Sequence, residues 1–277
     1  MMLSTPHLLN VLEQAIAIAR GAGAILREGY VQIAESRTSF VVDYKAQDVD
    51  PVTEFDRRSE AYIVDALQRC FPDHAIIGEE GGVYSHLQRA RFQWQVDPLD
   101  GTVNFAHSFP VFSVSLGLLD EGVPVLGVVY SPIHDELYSA AVGLGATLNG
   151  RPIRVSKTPV LSLALLNTGF PYDRRTSREN NFEHFLRFQR AAQEVRRVGS
   201  AALDLCWVAC GRMDGYWELK IKPHDIAAGI VIVREAGGTV TDFDGGDQML
   251  ARHEVVASNG LIHQAMLSVL HSEEPVL

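Results

Sequence analysis

The segment Asp97-Pro98-Leu99-Asp100-Gly101-Thr102 packs two carboxylates, a proline, a glycine and a hydroxyl into six residues. The apolar residues before it predict a buried strand that delivers Asp97 at its end. Pro98 fixes the next φ near −65°, and Gly101 permits a tight turn. Two carboxylates three residues apart can then face one point, with the Leu99 carbonyl turned the same way. A hard cation such as Mg²⁺ favours an all-oxygen shell of that kind. Gly101 and Thr102 add bare backbone N–H groups at an expected helix start, where a phosphate can sit. The plainer reading is a D-P-x-D-G turn capped by aspartate.

Three further segments carry carboxylates. Ile77-Gly78-Glu79-Glu80-Gly81-Gly82 places an acidic pair after a strand and among glycines. That pair is suited to reach a metal, or equally to sit in a solvated loop. Thr53 and Asp56 open a helix in a capping pattern, which by itself explains both residues. Asp225 follows Lys222-Pro223-His224 at another helix start, where the helix dipole favours a negative charge. Ala227, Ala228 and Gly229 come next and allow close packing. His224 reads as a packed or hydrogen-bonded histidine rather than a metal ligand.

These segments need elements to hold them. Apolar residues at helical spacing predict a helix over 8–28, from Leu8 to Leu26 and beyond. Residues 36–51 are polar and read as a loop or exposed hairpin. A second helix is predicted from Thr53 to Cys70, ending before Pro72. Short buried strands are predicted at Ala75–Ile77 and Gln93–Val96. Val111–Leu119, Val123–Tyr130 and Glu136–Ala141 predict an antiparallel meander. Beyond Asn149-Gly150 the pattern changes to alternating helices and strands. Strands are expected at Leu163–Leu166, Tyr216–Leu219, Val240–Phe243 and Val255–Ala257. Helices are expected around 182–192, over Ser200–Gly211, Ile226–Glu235 and Leu261–Leu270. The whole chain, 1–277, reads as a single domain with two lobes meeting near 145–160.

Composition narrows the class. The chain has 277 residues, of which 47% are hydrophobic and 21% charged, which excludes intrinsic disorder. Lysine and arginine number 24 against 34 aspartates and glutamates, a net charge of −10. That balance speaks against nucleic-acid binding and suits a protein that holds cations. No apolar run approaches the ~18 to 20 residues needed to cross a bilayer, and Met1–Asn10 does not read as a signal peptide. No membrane association is expected. Cys70, Cys206 and Cys210 form no C-x-x-C, and Cys206 and Cys210 read as buried hydrophobes. A reducing, cytoplasmic setting follows as the expectation. No P-loop pattern occurs.

Taken in order, Val52-Thr53-x-x-Asp56, Gly78-Glu79-Glu80, Asp97-Pro98-Leu99-Asp100-Gly101-Thr102-x-Asn104-Phe105 and Pro223-x-Asp225-x-Ala227-Ala228-Gly229 resemble the inositol monophosphatase family. Val198-Gly199-Ser200-Ala201-Ala202, Tyr216-Trp217-Glu218 and Glu235-Ala236-Gly237-Gly238 agree, so the resemblance runs from about residue 10 to 270. It implies an α/β fold, a five-layer αβαβα sandwich, usually as a homodimer. It implies Mg²⁺-dependent, Li⁺-sensitive hydrolysis of phosphate monoesters, inositol 1-phosphate above all. By that resemblance Glu79, Asp97 and the Leu99 carbonyl hold one Mg²⁺, and Asp97, Asp100 and Asp225 hold a second, with Glu79 helping to hold a third. Thr102, hydrogen-bonded to Asp56, orients the attacking water. The Gly101 and Thr102 amides bind phosphate. Gly199, Ser200, Ala201 and Glu218 line the cyclitol side, and Lys45 lies in a mobile flap. The family often has tryptophan where this chain has His224. The metal motifs are shared with 3′-phosphoadenosine-5′-phosphate phosphatases, fructose-1,6-bisphosphatases and histidinol phosphatases. Some bacterial relatives bind transcription machinery, so a dual regulatory role is a further alternative.

Overall fold

The computed structural model describes residues 5–36, 43–44, 51–84 and 90–272. Helix α1 (Thr5–Ser36) extends beyond the predicted 8–28. By length and composition, among the described residues, it is also long and apolar enough to cross a membrane. The sequence reading excluded such a run because alanine and glycine supply much of the apolar character, without bulk. Its face of Leu8, Val11, Ala15, Ile18, Ala22 and Leu26 is buried in the protein core. Strands β1 (Asp43–Tyr44) and β2 (Pro51–Val52) pair antiparallel, as expected for a hairpin. Lys45 lies outside the described residues. Helix α2 (Glu54–Cys70) packs on α1.

The first sheet collects β3 (Ala75–Gly78), β4 (Gly82–Val83), β5 (Phe92–Asp100), β6 (Ser113–Asp120), β7 (Val123–Ser131), β8 (Glu136–Ala141), β9 (Gly145–Leu148) and β10 (Arg151–Pro152). A short helix, α3 (Thr102–Ala106), separates β5 from β6. The spatial order is β10-β9-β8-β7-β6-β5-β3-β4. From β5 onward this is the antiparallel meander predicted, whereas β3 joins β5 in parallel. Small and polar β9 and β10 gave no strand signal in the sequence.

The second sheet is mixed. It contains β11 (Leu165–Thr168), β12 (Glu194–Arg196), β13 (Gly215–Leu219), β14 (Thr239–Thr241) and β15 (Glu254–Ser258), in the order β12-β11-β13-β15-β14. A 3₁₀ turn at Leu161–Leu163 delays β11 past the predicted start. Between these strands run α4 (Phe182–Ala191), α5 (Ala201–Ala209), α6 (Pro223–Glu235) and α7 (Met249–Arg252), with α8 (His263–Leu270) last.

The buried side chains resolve into three groups that define the layers. One joins α1 and α2 to the first sheet. A second joins that sheet's other face to α5 and α6, and these to Tyr216, Val255 and Ala257 of the second sheet. The third joins the second sheet to Phe188 of α4 and to Met266 and Leu270 of α8. The layers are therefore helices, sheet, helices, sheet, helices: the expected five-layer αβαβα sandwich. Helix α6 lies unusually close to the first sheet. A Cβ on Gly117 of β6 would come 2.7 Å from the Ala227 Cβ and 2.8 Å from the Ala228 nitrogen, and one on Gly127 of β7 would also meet Ala228. Glycine opposite alanine is what lets this helix, and Asp225 on its first turn, approach β5.

Candidate active site

Residues three apart on a regular strand point to opposite faces. Asp97 and Asp100 escape that rule because β5 is irregular between them. Asp97 pairs with Ser115 and Asp100 with Ser113, so the register shifts by one residue. Pro98 lacks the N–H that would continue the ladder. The sequence suggested a turn after the strand; the structure instead carries the strand through Asp100 with a bulge inside it. Asp97 Oδ1 accepts from the Leu99 amide at 3.0 Å, and the Ser59 hydroxyl of α2 donates to the Pro98 carbonyl at 2.9 Å. Gly101 follows with φ of 96°, and a Cβ there would press on the Val111 and Gly199 carbonyls at 3.0 and 3.1 Å. Asn104 clamps the same junction, donating to the carbonyls of Val111 (2.7 Å), Val198 (3.0 Å) and Gly199 (3.3 Å).

Parallel pairing of β3 with β5 brings Glu79 alongside, its amide donating to the Val96 carbonyl at 3.1 Å. The loop beyond it is anchored by a residue that the sequence reading missed. Glu60 of α2 is 1% exposed and accepts from the amides of Glu80 (3.0 Å) and Gly81 (2.7 Å) and from the Tyr84 hydroxyl. The signal was available: Asp56, Ser59 and Glu60 form a polar stripe at helical spacing, and all are buried.

Thr53 and Asp56 form the expected capping box. Asp56 also meets Thr102, its Oδ1 accepting from the Thr102 hydroxyl at 3.1 Å. The same hydroxyl lies 3.0 Å from the Leu99 carbonyl, so its single proton serves one acceptor at a time. From the far side, Asp225 Oδ2 accepts from the Lys222 amide at 2.8 Å. His224 is packed as expected, buried with its Nε2 3.5 Å from Asp225 Oδ1. Ser200, expected to cap α5, turns away from that role. It donates to Asp100 Oδ2 at 2.5 Å, and Asp100 itself accepts from the Ala201 (3.1 Å) and Ala202 (2.9 Å) amides. A carboxylate from another strand thus caps this helix.

One cleft is lined by Glu79, Asp97, Leu99, Asp100, Gly101, Thr102, Gly199, Ser200, Ala201, Glu218 and Asp225. Asp56, fully buried, lies behind Thr102 and reaches the cleft only through it. Asp204, Arg197, Lys220 and Lys222 also line the cleft and carried no role in the sequence reading. Asp204 is buried and accepts from the Asn167 side chain at 2.8 Å. Glu218 accepts from the Tyr216 hydroxyl at 2.5 Å.

Burial is the main force on the acids. It raises Asp97 far above the usual carboxylate range, and the charges of Glu79, Asp100 and Asp225 raise it further. Burial, followed by the Asp225 charge, lifts Asp100 to about 7 against three hydrogen bonds that lower it. Burial and then Glu79 lift Asp225 to about 7, and burial lifts Asp56 to about 6 and Glu218 to about 7. A dication is the counter-charge such a set lacks, and the donors are oxygens that suit Mg²⁺. Among the described residues, no three acidic, histidine or cysteine side chains are gathered tightly enough to ligate one ion. Asp97 is engaged with the Leu99 amide and Asp100 with the start of α5, so binding would compete with those contacts.

The family model for the inositol monophosphatase family matches residues 7–274. The chain belongs to the inositol monophosphatase family. It is 52% identical over 229 residues to the inositol-1-monophosphatase of a Synechocystis species, covering 83% of this chain and 79% of that one. The Nus factor SuhB of Pasteurella multocida is 41% identical, with 93% and 94% covered. A solved inositol monophosphatase from Anabaena (Nostoc) sp. PCC 7120 superposes with a TM-score of 0.87 at 44% identity, over 97% of this chain and 98% of the other. The phosphatase assignment made from the sequence stands on that membership.

Proposed function

We propose that this chain hydrolyses phosphate monoesters with Mg²⁺, converting inositol 1-phosphate to inositol and phosphate, and that Li⁺ inhibits it. One observation supports this reading above the rest: Glu79 after β3, Asp97 and Asp100 of β5 and Asp225 of α6 line one cleft together with Thr102. Glu79, Asp97, the Leu99 carbonyl, Asp100 and Asp225 would hold two or three Mg²⁺, which supply positive charge for the phosphate oxygens and ease deprotonation of a water.

The chain's own contribution is orientation. When the Thr102 hydroxyl donates to Asp56, its oxygen is left to accept a hydrogen bond from a water in the cleft. Asp56 is held by the Thr53 amide at 2.8 Å, so the Thr102 hydroxyl has a fixed direction. Phosphoryl transfer needs little more from a protein than such positioning and charge neutralisation. The Gly101 and Thr102 amides are assigned to the phosphate, and Gly199, Ser200, Ala201 and Glu218 to the alcohol. A homodimer in the cytoplasm, apart from membranes and nucleic acid, completes the proposal.

Initial rates of phosphate release decide it. The panel is inositol 1-phosphate, fructose 1,6-bisphosphate, 3′-phosphoadenosine-5′-phosphate and histidinol phosphate, with Mg²⁺ and with added Li⁺. Metal-replete protein inert on every ester would end the phosphatase reading. End-to-end similarity to proteins named Nus factor SuhB favours one second reading, a dual role with transcription machinery. Recovery of transcription proteins in a pull-down with this chain would support it.

A further inference from the structure

The alcohol half of the cleft contains a carboxyl that the proposed chemistry leaves unused. Asp204 lies on α5, three residues after Ala201 and four after Ser200, so the helix stacks it with them on the face that lines the cleft. One of its oxygens is taken. Asn167 of β11 donates to Asp204 Oδ1 at 2.8 Å and to the Asp204 carbonyl at 3.3 Å. The Asn167 side-chain oxygen is sealed from solvent and has no hydrogen-bond partner among the described residues. A buried amide that leaves its own oxygen orphaned is kept for its other end, the grip on Asp204.

The second oxygen of Asp204 is free. Among the described residues Oδ2 has no hydrogen-bond partner, and it is not sealed from solvent, so it opens to the cleft that Asp204 lines. Glu218 repeats the arrangement from β13: Oε2 accepts from the Tyr216 hydroxyl at 2.5 Å, and Oε1 has no hydrogen-bond partner among the described residues. Burial raises both carboxyls, and Arg197 draws both back. At Asp204 burial prevails and holds the group well above the usual carboxylate range, so the carboxyl keeps its proton at neutral pH. Oδ1 is then the carbonyl oxygen that accepts from Asn167, and Oδ2–H is a donor turned to the cleft. Leaving such a group unpaired beneath a bound substrate is costly, so a substrate that pairs it is favoured over an analogue that does not.

We propose that Asp204, set in place by Asn167, is a specificity-determining residue whose free oxygen hydrogen-bonds a hydroxyl of the alcohol, beside the contact assigned to Glu218. The proposal rests on the phosphatase reading above and deepens it. The bonds made and broken at phosphorus are unchanged; only the hold on the alcohol differs.

The experiment uses a matched pair of esters: inositol 1-phosphate, and cyclohexyl phosphate, the same ring without the further hydroxyls. The quantity read is the ratio of kcat/KM within the pair. Asp204→Ala should lower that ratio by about tenfold, mainly through KM on inositol 1-phosphate, with cyclohexyl phosphate little affected. Asp204→Asn should restore most of it, because its amide keeps an oxygen for Asn167 and turns an N–H to the cleft in place of Oδ2–H. Asn167→Ala should lower the ratio less, and adding it to Asp204→Ala should lower it no further, since Asn167 acts through Asp204. No preference within the pair in the parent protein, a ratio unmoved by Asp204→Ala, or one that Asp204→Asn fails to restore overturns the assignment. Equal losses on both esters in Asp204→Ala and Asn167→Ala overturn it too and leave Asp204 to the fold. In each case phosphate release by the parent keeps the phosphatase reading intact. A parent inert on every ester would remove both.

Discussion

The two walls of the cleft are built on different plans. The wall from residues 53–104 fixes its acids with backbone groups close by in sequence or on a neighbouring strand. Asp56 is held by the Thr53 amide, Asp97 by the Leu99 amide, and Glu60 by the amides of Glu80 and Gly81. The wall from residues 169–225 comes from loop ends of the second sheet and presents Tyr172, Arg197, Lys220 and Lys222. Of these, Arg197 and Lys222 are exposed, and so is Tyr172 at 45%. Rigid support suits the side that orients water and charge, and an open side suits a variable alcohol. Asp225, held by the Lys222 amide, is a proposed metal ligand on the second wall; apart from it, the contrast matches the proposed chemistry to the first wall and the proposed selection to the second.

Replacing Asp97 tests the first wall most severely. Asp97→Asn should lower turnover by about a thousandfold or more with Mg²⁺ present, as loss of a charged site group does. Its metal-free form should melt no lower than the parent, because a buried repelling charge is gone. Thr102→Ala should lower kcat by about a hundredfold, the scale of a positioned proton acceptor, with the Mg²⁺ requirement little changed. If Thr102→Ala keeps full kcat, water is oriented elsewhere. Glu60→Gln should raise the Mg²⁺ concentration for half-maximal rate by about tenfold, as for other groups that hold a ligand-bearing loop. An unchanged Mg²⁺ requirement would reduce Glu60 to a purely structural role.

The smallest effect expected is on stability. Asp100 and Asp225 are raised to about 7 by burial, and Asp56 to about 6. A carboxyl whose folded pKa is raised binds its proton more tightly when folded. Its contribution is full below the unfolded value, ~3.9, and is lost as pH climbs through the folded value. In EDTA the melting temperature should therefore fall between about pH 4 and 7. Mg²⁺ should oppose that fall, adding about 2.7 kcal/mol at a hundredfold excess over its dissociation constant. A shift of equal size in Asp97→Asn at constant ionic strength would mean general screening.

The same division governs what could be read from the sequence. Asp97, Asp100, Gly101 and Thr102 are contiguous, so their chemistry shows in one short word. The bulge does not show, because it depends on the register against Ser113 and Ser115 of β6. Ser200 looked like an ordinary helix cap because its real partner, Asp100, lies a hundred residues away. Arg197 passed unnoticed because its neighbours in the cleft, Asp204 and Glu218, come from other parts of the chain. The fold was legible where apolar periodicity was strong, as in β6 to β8 and α6. It was not legible at β12, whose Glu194-Val195-Arg196 alternates too briefly to register.

The Asp100 cap on α5 has a consequence of its own. The amides of Ala201 and Ala202 are tied to a carboxylate that is also a proposed metal ligand. Any cation that recruits Asp100 must compete with that helix end for the same two oxygens. The first turn of α5 then serves as a built-in gauge of occupancy. Hydrogen–deuterium exchange at those two amides would register filling of the cleft even when no substrate is present.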